Sequence, residues 1–421
     1  MDFSPSPQVE QLLEQVRAFM DEHVYPNERA ASEALDDEVG PGVPYPELIL
    51  EVRERARAEG LWNLFMPDER YGPGLKNWEY GILCEEMGRS PVLAPMAFNS
   101  SAPDTGNMEI LADHGSEQQR EEWLQPLLEG EIRSCFSMTE PETSGSDPTG
   151  LAASAVLDGD EWVINGHKWF TSGAVGASLA IAMVVTEPEG HPYARASMIL
   201  VPTDNPGFNL IRPIPVMGHD KGPGHCEIRY EDCRVPETNL LGERGAGFVI
   251  AQDRLGPGRI HHCMRAIGTA ERALEMMCDR ANSREAFGGP LADKQFIQDF
   301  IAKSRIEIDQ ARLLTLYAAW KMDTEGKRAA RQAISMIKVV AANVVMDVLD
   351  RSIQTHGSLG MTEDTPLAAM WRFSRMLRLA DGPDEVHKMV IARRELNRRA
   401  KLAGGGAESD GAAAPQPAKA G

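Results

Sequence analysis

Two short segments bring together the residue types that hold a flat or phosphorylated ligand. The first is Ser137-Met138-Thr139-Glu140-Pro141, running on to Ser144-Gly145-Ser146-Asp147. It offers hydroxyls, small residues and loop N–H groups, and such a loop can approach a ring system or a pyrophosphate closely. An ordinary Gly/Ser connector has the same composition, so the segment alone leaves both readings open. The second is Asn165-Gly166-His167-Lys168-Trp169-Phe170-Thr171-Ser172-Gly173. It sets an aromatic and a hydroxyl two residues apart, and residues i and i+2 share one face of a strand. Trp169 and Thr171 are therefore expected to meet a flat ligand together; a Trp buried in a β core is the alternative.

Other chemistries lack their residues. The chain has no G-x-G-x-x-G, no G-x-x-x-x-G-K-[ST], no H-E-x-x-H and no G-x-S-x-G. These absences argue against a Rossmann dinucleotide site, a P-loop, a zincin helix and a nucleophile elbow. His261 and His262 are neighbours, and neighbours on a helix point about 100° apart. They read as packed or polar helix residues, and no metal site is expected. Cys84, Cys135, Cys226, Cys233, Cys263 and Cys278 form no C-x-x-C pair. Such scatter fits reduced thiols rather than a disulfide framework or a zinc site.

The elements that must position these residues fall into three blocks. At roughly 150 residues per domain, 421 residues predict about three domains, and 42% hydrophobic residues suffice for a substantial core. Residues 1–133 show helical spacing in Leu12, Leu13, Val16, Phe19 and Met20, and again in Ile49, Val52, Ala56 and Leu61. Between 134 and 243 the runs shorten and turn residues separate them, as Asp158-Gly159-Asp160 does, which predicts an antiparallel sheet or barrel. Gly242–Gly247 reads as the loop closing that block. From 244 to 402 helical stripes return. One runs through Cys263, Ile267, Ala270, Leu274 and Met277. A second holds Phe296, Ile297, Phe300, Ile301, Ile308, Leu313 and Leu314. The third is Ile334, Ile337, Val340, Val344 and Val348. The Gly/Ala-rich tail, 403–421, is expected to be disordered.

At this point the chain resembles the acyl-CoA dehydrogenase family, over essentially its whole length to about Arg399. M-T-E-P followed by G-S-D, then N-G-x-K with W-x-T, is a specific pairing for these flavoproteins. So is Arg284-Glu285-Ala286-Phe287-Gly288 with Gln295 eleven residues after the arginine. The runs Leu255 to Arg265 (LGPGRIHHCMR) and Leu379 to His387 (LADGPDEVH) resemble the dehydrogenase domains of family members ten and eleven and their bacterial relatives.

The resemblance implies an α+β fold with an N-terminal helical domain, a middle antiparallel β-barrel and a C-terminal four-helix bundle. It implies FAD as cofactor. Met138 and Thr139 would flank the isoalloxazine, with Gly145 and Ser146 near the flavin and its phosphates. Trp169 would cover one ring face and Thr171 would bond near N5. Arg284, Phe287 and Gln295, joined by Gln354, Gly357 and Ser358, would reach the adenine-diphosphate half of FAD in a neighbouring subunit. A homodimer or homotetramer is therefore implied. So is α,β-dehydrogenation of an acyl-CoA, with electrons passing to an electron-transfer flavoprotein.

The family's usual base is the Glu of a Glu-Gly pair, and this chain has Asp381-Gly382. Asp381 is the expected base, Gly382 and Arg259 the expected substrate contacts. An Asp opening an Asp-Gly-Pro turn is the structural alternative. The position that carries the base in another branch is Gly258 here. A nitroalkane oxidase of the same fold also uses Asp, which keeps an oxidase in view beside a non-catalytic flavin-binding scaffold. Relatives ten and eleven point towards 4-hydroxy or 4-phospho acyl-CoA substrates. His219-Asp220 lies in a variable loop and reads as a solvated turn or a polar contact near the acyl group.

Charge bounds the partners. Lys+Arg 43 against Asp+Glu 63 gives −20, which argues against a generalised nucleic-acid or anionic-membrane surface. The charge is uneven: residues 1–100 hold 19 acids and 8 bases, whereas residues 371–401 hold 9 bases and 4 acids. A cationic C-terminal region can thus receive an anionic ligand. The longest apolar run, near Ala174–Val185, falls short of the ~20 residues of a membrane span. The N-terminal stretch shows no signal-peptide pattern, so a cytoplasmic location is expected.

Overall fold

A computed structural model describes residues 3–40, 43–219 and 221–402. Asp220 and the tail expected to be disordered, 403–421, lie outside the described residues. Contacts group the chain into two compact units. One comprises Met1–Ser32, Glu47–Ser101 and Gly256–Ala392, the other Glu33–Pro46, Ala102–Leu255 and Arg393–Gly421.

The first unit is helical. Its N-terminal part includes helices Pro7–Phe19, Glu47–Ala58 and Asn77–Gly88. Ser6 caps the first of these by accepting from the Val9 N–H, Pro7 occupies the first turn, and Val9, Val16 and Phe19 are buried. Its C-terminal part holds most of the Gly247–Ser283 helix, then Gln295–Glu325, Lys327–His356, Leu367–Arg375 and the start of Asp384–Leu402. The two parts are locked together by a cap supplied from far along the chain. Asp323 accepts from the Asn77 and Trp78 N–H groups and from Asn77 Nδ2, at 2.7–3.1 Å.

The third apolar stripe is core, with Ile334, Ile337 and Val348 buried. The second is only partly so. Ile308 is buried, but Phe296 is 83% and Leu313 59% exposed, leaving part of that stripe uncovered within one chain. One expectation needs correction. The Lys327–Met361 segment is long and apolar enough to cross a membrane, a length missed by counting only unbroken apolar runs. Two thirds of its most apolar window (67%) is buried inside the protein, as in a core helix.

The second unit is built on eight strands. They are β1 (Ser134–Ser137), β2 (Ser154–Asp158), β3 (Glu161–Ser172), β4 (Leu179–Val185), β5 (Ala196–Pro202), β6 (Phe208–Pro213), β7 (His225–Pro236) and β8 (Leu240–Leu241). The path is β6-β7-β3-β2-β4-β5-β8, with β1 beside β4. All seven residues of β4 are buried, which is why LAIAMVV is a continuous apolar run rather than an alternating one.

The expected order of helices, β region and helices is what the structure shows. Two details differ from an all-antiparallel barrel. β1 pairs parallel with β4, and β2 touches β4 at one parallel position. A parallel pair needs a long crossover, and the chain between β1 and β4 supplies it. No described pair joins β6 to β8, so the sheet is open by pairing. Residues 242–246 form the expected loop of bends and turns after β8, and Gly247 begins the next helix.

Candidate functional site

In the β unit the two sequence segments meet. The Trp169 N–H donates to the Thr139 carbonyl at 3.0 Å, and Thr139 Oγ1 donates back to the Trp169 carbonyl at 2.7 Å. Beneath this pair lies Lys168, with no exposed side-chain surface. Its Nζ donates to the Met138 carbonyl, to Glu140 Oε1 and to the Met183 carbonyl, at 2.7–2.8 Å. Glu140 in turn accepts from the Ala152 and Ala153 N–H groups at 2.7 and 2.9 Å. Burial alone would raise the Glu140 carboxyl, but Lys168 and the two N–H groups outweigh it and hold it below the ordinary range. Burial pulls the Lys168 ammonium down to about 8, against the opposing field of Glu140, so both groups are charged at neutral pH. On the outer side, His167 bridges Glu142 at 2.6 Å and Glu227 at 2.9 Å, tying the loop to the sheet.

The motif residues around this clamp differ in access. Gly145 and Ser146 are exposed, while Met138, Thr139 and Trp169 are half-buried. Simple alternation fails at Thr171. The β3–β7 register shifts between Lys168 and Thr171, and Phe170 has φ 50°. That irregularity turns Thr171 inward, fully buried, with Oγ1 3.2 Å from Ser137 Oγ. The i, i+2 face argument does not survive a bulge, because the extra residue resets the alternation. The glycine of N-G has a packing reason as well: a Cβ at Gly166 would lie 2.3 Å from that of Ala153.

The helical unit holds Asp381 on a turn fixed from three helices. Arg259 Nε donates to the Asp381 carbonyl at 3.0 Å, and His387 Nε2 lies 3.2 Å from the same oxygen. Lys338 Nζ donates to the Leu377 and Ala380 carbonyls at 2.5 and 2.9 Å. At the other end, Asp384 accepts from Arg378 Nε at 2.9 Å and from Asn343 Nδ2 at 3.1 Å. Asp381 has φ 56° and Gly382 φ 100°. A non-glycine residue in the left-handed region persists only where its surroundings over-determine it, a state that clusters at functional sites. A Cβ at Gly382 would meet His387 Nε2 at 2.9 Å, and its φ of 100° strains any other residue, so the position favours glycine.

Arg259 was expected as a substrate contact; the structure places it on the backbone of the expected base. Burial holds Arg259 and Lys338 below their ordinary pKa values. His387 is pushed down to about 4, by burial first and then by Arg259 and Lys338. It is therefore neutral at pH 7 and donates Nε2–H to the carbonyl.

His261 and His262 separate as neighbours on a helix must. His261 is buried, edge-on to Tyr80 at 4.7 Å between ring centroids, as a packed core histidine. His262 faces Asp381, with Nε2 3.5 Å from Oδ2, and its Nδ1 lies 3.1 Å from Arg265 Nη2. The sequence reading named His262 only as a packed or polar helix residue and did not single out Lys338, His387 or the Glu140–Lys168 pair. Lys338 left a legible trace, a charge inside an apolar stripe. His262 left none, because its role depends on a turn about 120 residues away.

A third group of expected residues lies on the surface of the helical unit. Glu285–Ala286 pairs with Gly289–Pro290 across the two-residue turn Phe287-Gly288, at φ 51° and 80°. Two positive φ values make a turn that usually takes Asn-Gly, yet its first position is a fully exposed phenylalanine. Arg284, Gln295, Gln354, Gly357 and Ser358 are exposed too. A cation, an aromatic ring, amides and a hydroxyl presented outward suit a nucleotide diphosphate. The half-exposed Trp169 and the hydroxyl-bearing loop suit a flat ring, so the residues present fit a flavin nucleotide.

Family models cover nearly the whole chain. Residues 6–131 match "Acyl-CoA dehydrogenase, N-terminal domain", residues 135–233 the middle domain, and residues 245–396 the C-terminal domain. The chain is 50% identical over 404 residues to "Probable acyl-CoA dehydrogenase FadE2" of Mycobacterium tuberculosis, covering 94% of this chain and 98% of that protein. It is 48% identical to "Acyl-CoA dehydrogenase family member 10" of Mus musculus, over 94% of this chain but only 38% of that longer protein. The solved structure of a Mycobacterium abscessus chain assigned to the acyl-CoA dehydrogenases superposes with a TM-score of 0.89 at 49% identity, covering 94% of this chain and 100% of that one.

Proposed function

The chain belongs to the acyl-CoA dehydrogenase family and is an oxidoreductase with FAD as its cofactor; from that premise we propose that it removes hydrogen across Cα–Cβ of an acyl-CoA thioester, with Asp381 as the base. The observation that carries this reading is the Asp381 turn, a carboxylate in left-handed backbone strapped by Arg259, Lys338 and His387. Such strapping costs stability and serves to aim one side chain.

When bound, FAD supplies the hydride acceptor for the β-carbon. Met138, Thr139, Gly145, Ser146 and Trp169 would hold its ring and nearby phosphates, with Thr171 behind them. The Glu140–Lys168 clamp keeps that loop in place before the ligand arrives, which lowers the cost of ordering it on binding. Asp381 takes the α-proton on a carboxylate oxygen. A base so placed contributes roughly 10²–10⁴-fold. Arg259 orients the Asp381 peptide, and Gly382 leaves room for the substrate's approach beside it.

The exposed Arg284, Phe287 and Gln295, with Gln354, Gly357 and Ser358, would complete the cofactor site of a second copy, making a homodimer or homotetramer the working enzyme. An electron-transfer flavoprotein would receive the electrons. On the resemblance of its LGPGRIHHCMR and LADGPDEVH runs to family members ten and eleven, the acyl group would be oxygenated at C4, as the free hydroxyl or its phosphate.

The test is anaerobic flavin bleaching by butyryl-CoA, octanoyl-CoA, 4-hydroxyoctanoyl-CoA and 4-phosphooctanoyl-CoA. The reading expects bleaching by at least one thioester, fastest with a C4-oxygenated one. Bleaching by nitroethane and by no thioester would instead establish an oxidase.

A further inference from the structure

We infer that His262 is a positioning residue for Asp381, held as a neutral Nε2–H donor by Arg265. The inference rests on Asp381 being the base. A guanidinium has only donors, so the contact of Arg265 Nη2 with His262 Nδ1 at 3.1 Å requires Nδ1 to accept. The ring proton then sits on Nε2, the atom facing Asp381 Oδ2 at 3.5 Å. Catalytic hydrogen bonds are often long without substrate and tighten on binding.

Arg265 is itself fixed. It is 9% exposed, and Nη1 reaches the Ser100 carbonyl at 3.4 Å and Cys84 Sγ at 3.8 Å. Arg265 and His262 are three residues apart on one helix, on neighbouring positions of the same face. The relay Ser100–Arg265–His262–Asp381 thus runs from a buried carbonyl to the carboxylate.

The tautomer decides what His262 can do. With Nε2 already protonated, it cannot take the proton that Asp381 abstracts. Protonating Nδ1 would set an N–H against the guanidinium and break the Arg265 contact. His262 orients the Asp381 carboxylate through Oδ2. The other charged or titratable groups around this pair are Arg259, His261 and Cys263 on the same helix, Arg331 and Lys338 on the Lys327–His356 helix, and Asp384 and His387 on the last helix. Arg259, Lys338 and His387 are occupied with the turn's carbonyls. Burial pushes the Cys263 thiol up to about 12, so it stays protonated.

The experiment uses FAD-loaded enzyme and the best thioester of the four-member panel above, and measures flavin reduction by stopped flow across pH. His262→Leu should slow reduction about ten- to a hundredfold, the range for a hydrogen bond to a charged group. KM should move less than about threefold. The acid limb of the rate profile should rise by about one pH unit, since a carboxylate losing a donor becomes easier to protonate. His262→Gln, which restores an N–H, should recover most of the rate and return the limb. Arg265→Met should add a second ionisation near 6.5, the ordinary histidine value, as Nδ1 becomes free to hold a proton.

If Asp381→Asn keeps full rate, the base assignment fails and this inference fails with it; so it does if no thioester bleaches the flavin. If Asp381→Asn is dead while His262→Leu matches the wild type in rate and acid limb, the inference alone is overturned. Equal slowing by Leu and Gln with an unmoved limb also overturns it, by showing a packing role. If His262→Leu does not fold, His262→Gln and Arg265→Met decide: a shifted limb in the first, or a single ionisation in the second, rejects the relay.

Discussion

Lys168 Nζ stands 2.8 Å from Glu140 Oε1, with neither side chain more than 2% exposed, and this contact joins two motifs that the chain places 28 residues apart. The ammonium also holds the Met138 and Met183 carbonyls, so one buried ion fixes the loop against β4. Replacing one member leaves the other charge buried and uncompensated. Glu140→Gln is therefore expected to cost about 3–5 kcal/mol, read as a lowered Tm and weaker FAD retention. The double variant Glu140→Gln/Lys168→Met should recover part of that loss, because it removes the orphaned cation.

Asp381→Asn preserves shape and removes the base. Flavin reduction by a thioester should fall at least 10²-fold, while FAD content and Tm stay close to wild type. Rapid-mixing absorbance at the flavin band, alongside thermal melting, checks both halves.

Gly382→Ala tests the turn rather than the chemistry. The new methyl would press on His387 at 2.9 Å and sit at φ 100°, a conformation that non-glycine residues avoid. A loss of about 1–3 kcal/mol in urea unfolding is expected, together with a drop in rate.

His387 sets an acid limit on stability. Its pKa is about 4 in the folded chain against about 6.5 unfolded, so between these values the unfolded state binds more protons. Stability from this group is complete above about pH 6.5 and lost progressively as pH falls to about 4, by an amount on the order of 3 kcal/mol. Urea titrations at pH 7 and 4.5 should show less acid loss in His387→Gln than in the wild type.

Phe287 is fully exposed in a strained turn, so Phe287→Ala should leave the chain's own Tm unchanged or slightly raised. FAD retention should fall in the assembled protein. Co-expressing Phe287→Ala with Asp381→Asn should yield mixed assemblies more active than either variant alone, if each site draws on two copies. Activity no higher than that of the two variants assayed separately would count against a shared site.

The sequence by itself determined the order of helices, strands and helices. That order depends on local periodicity and turn chemistry, which adjacent residues carry: the stripe through Ile334, Ile337 and Val348 or the unbroken LAIAMVV of β4. It also determined the family, through motifs whose members lie close along the chain. Tertiary structure alone decided how those motifs work. The bulge at Phe170 put Thr171 inside and left Trp169 half-exposed, because a register shift is a property of two paired strands. Arg259 became a strap for the Asp381 backbone, and His262 turned to face its carboxylate, because each meets the turn from another helix. The net charge of −20 did not foretell this cationic surround either, since Arg259 and Lys338 converge on one turn from two helices with no shared local pattern. Periodicity is written residue by residue, whereas convergence exists only after the helices pack.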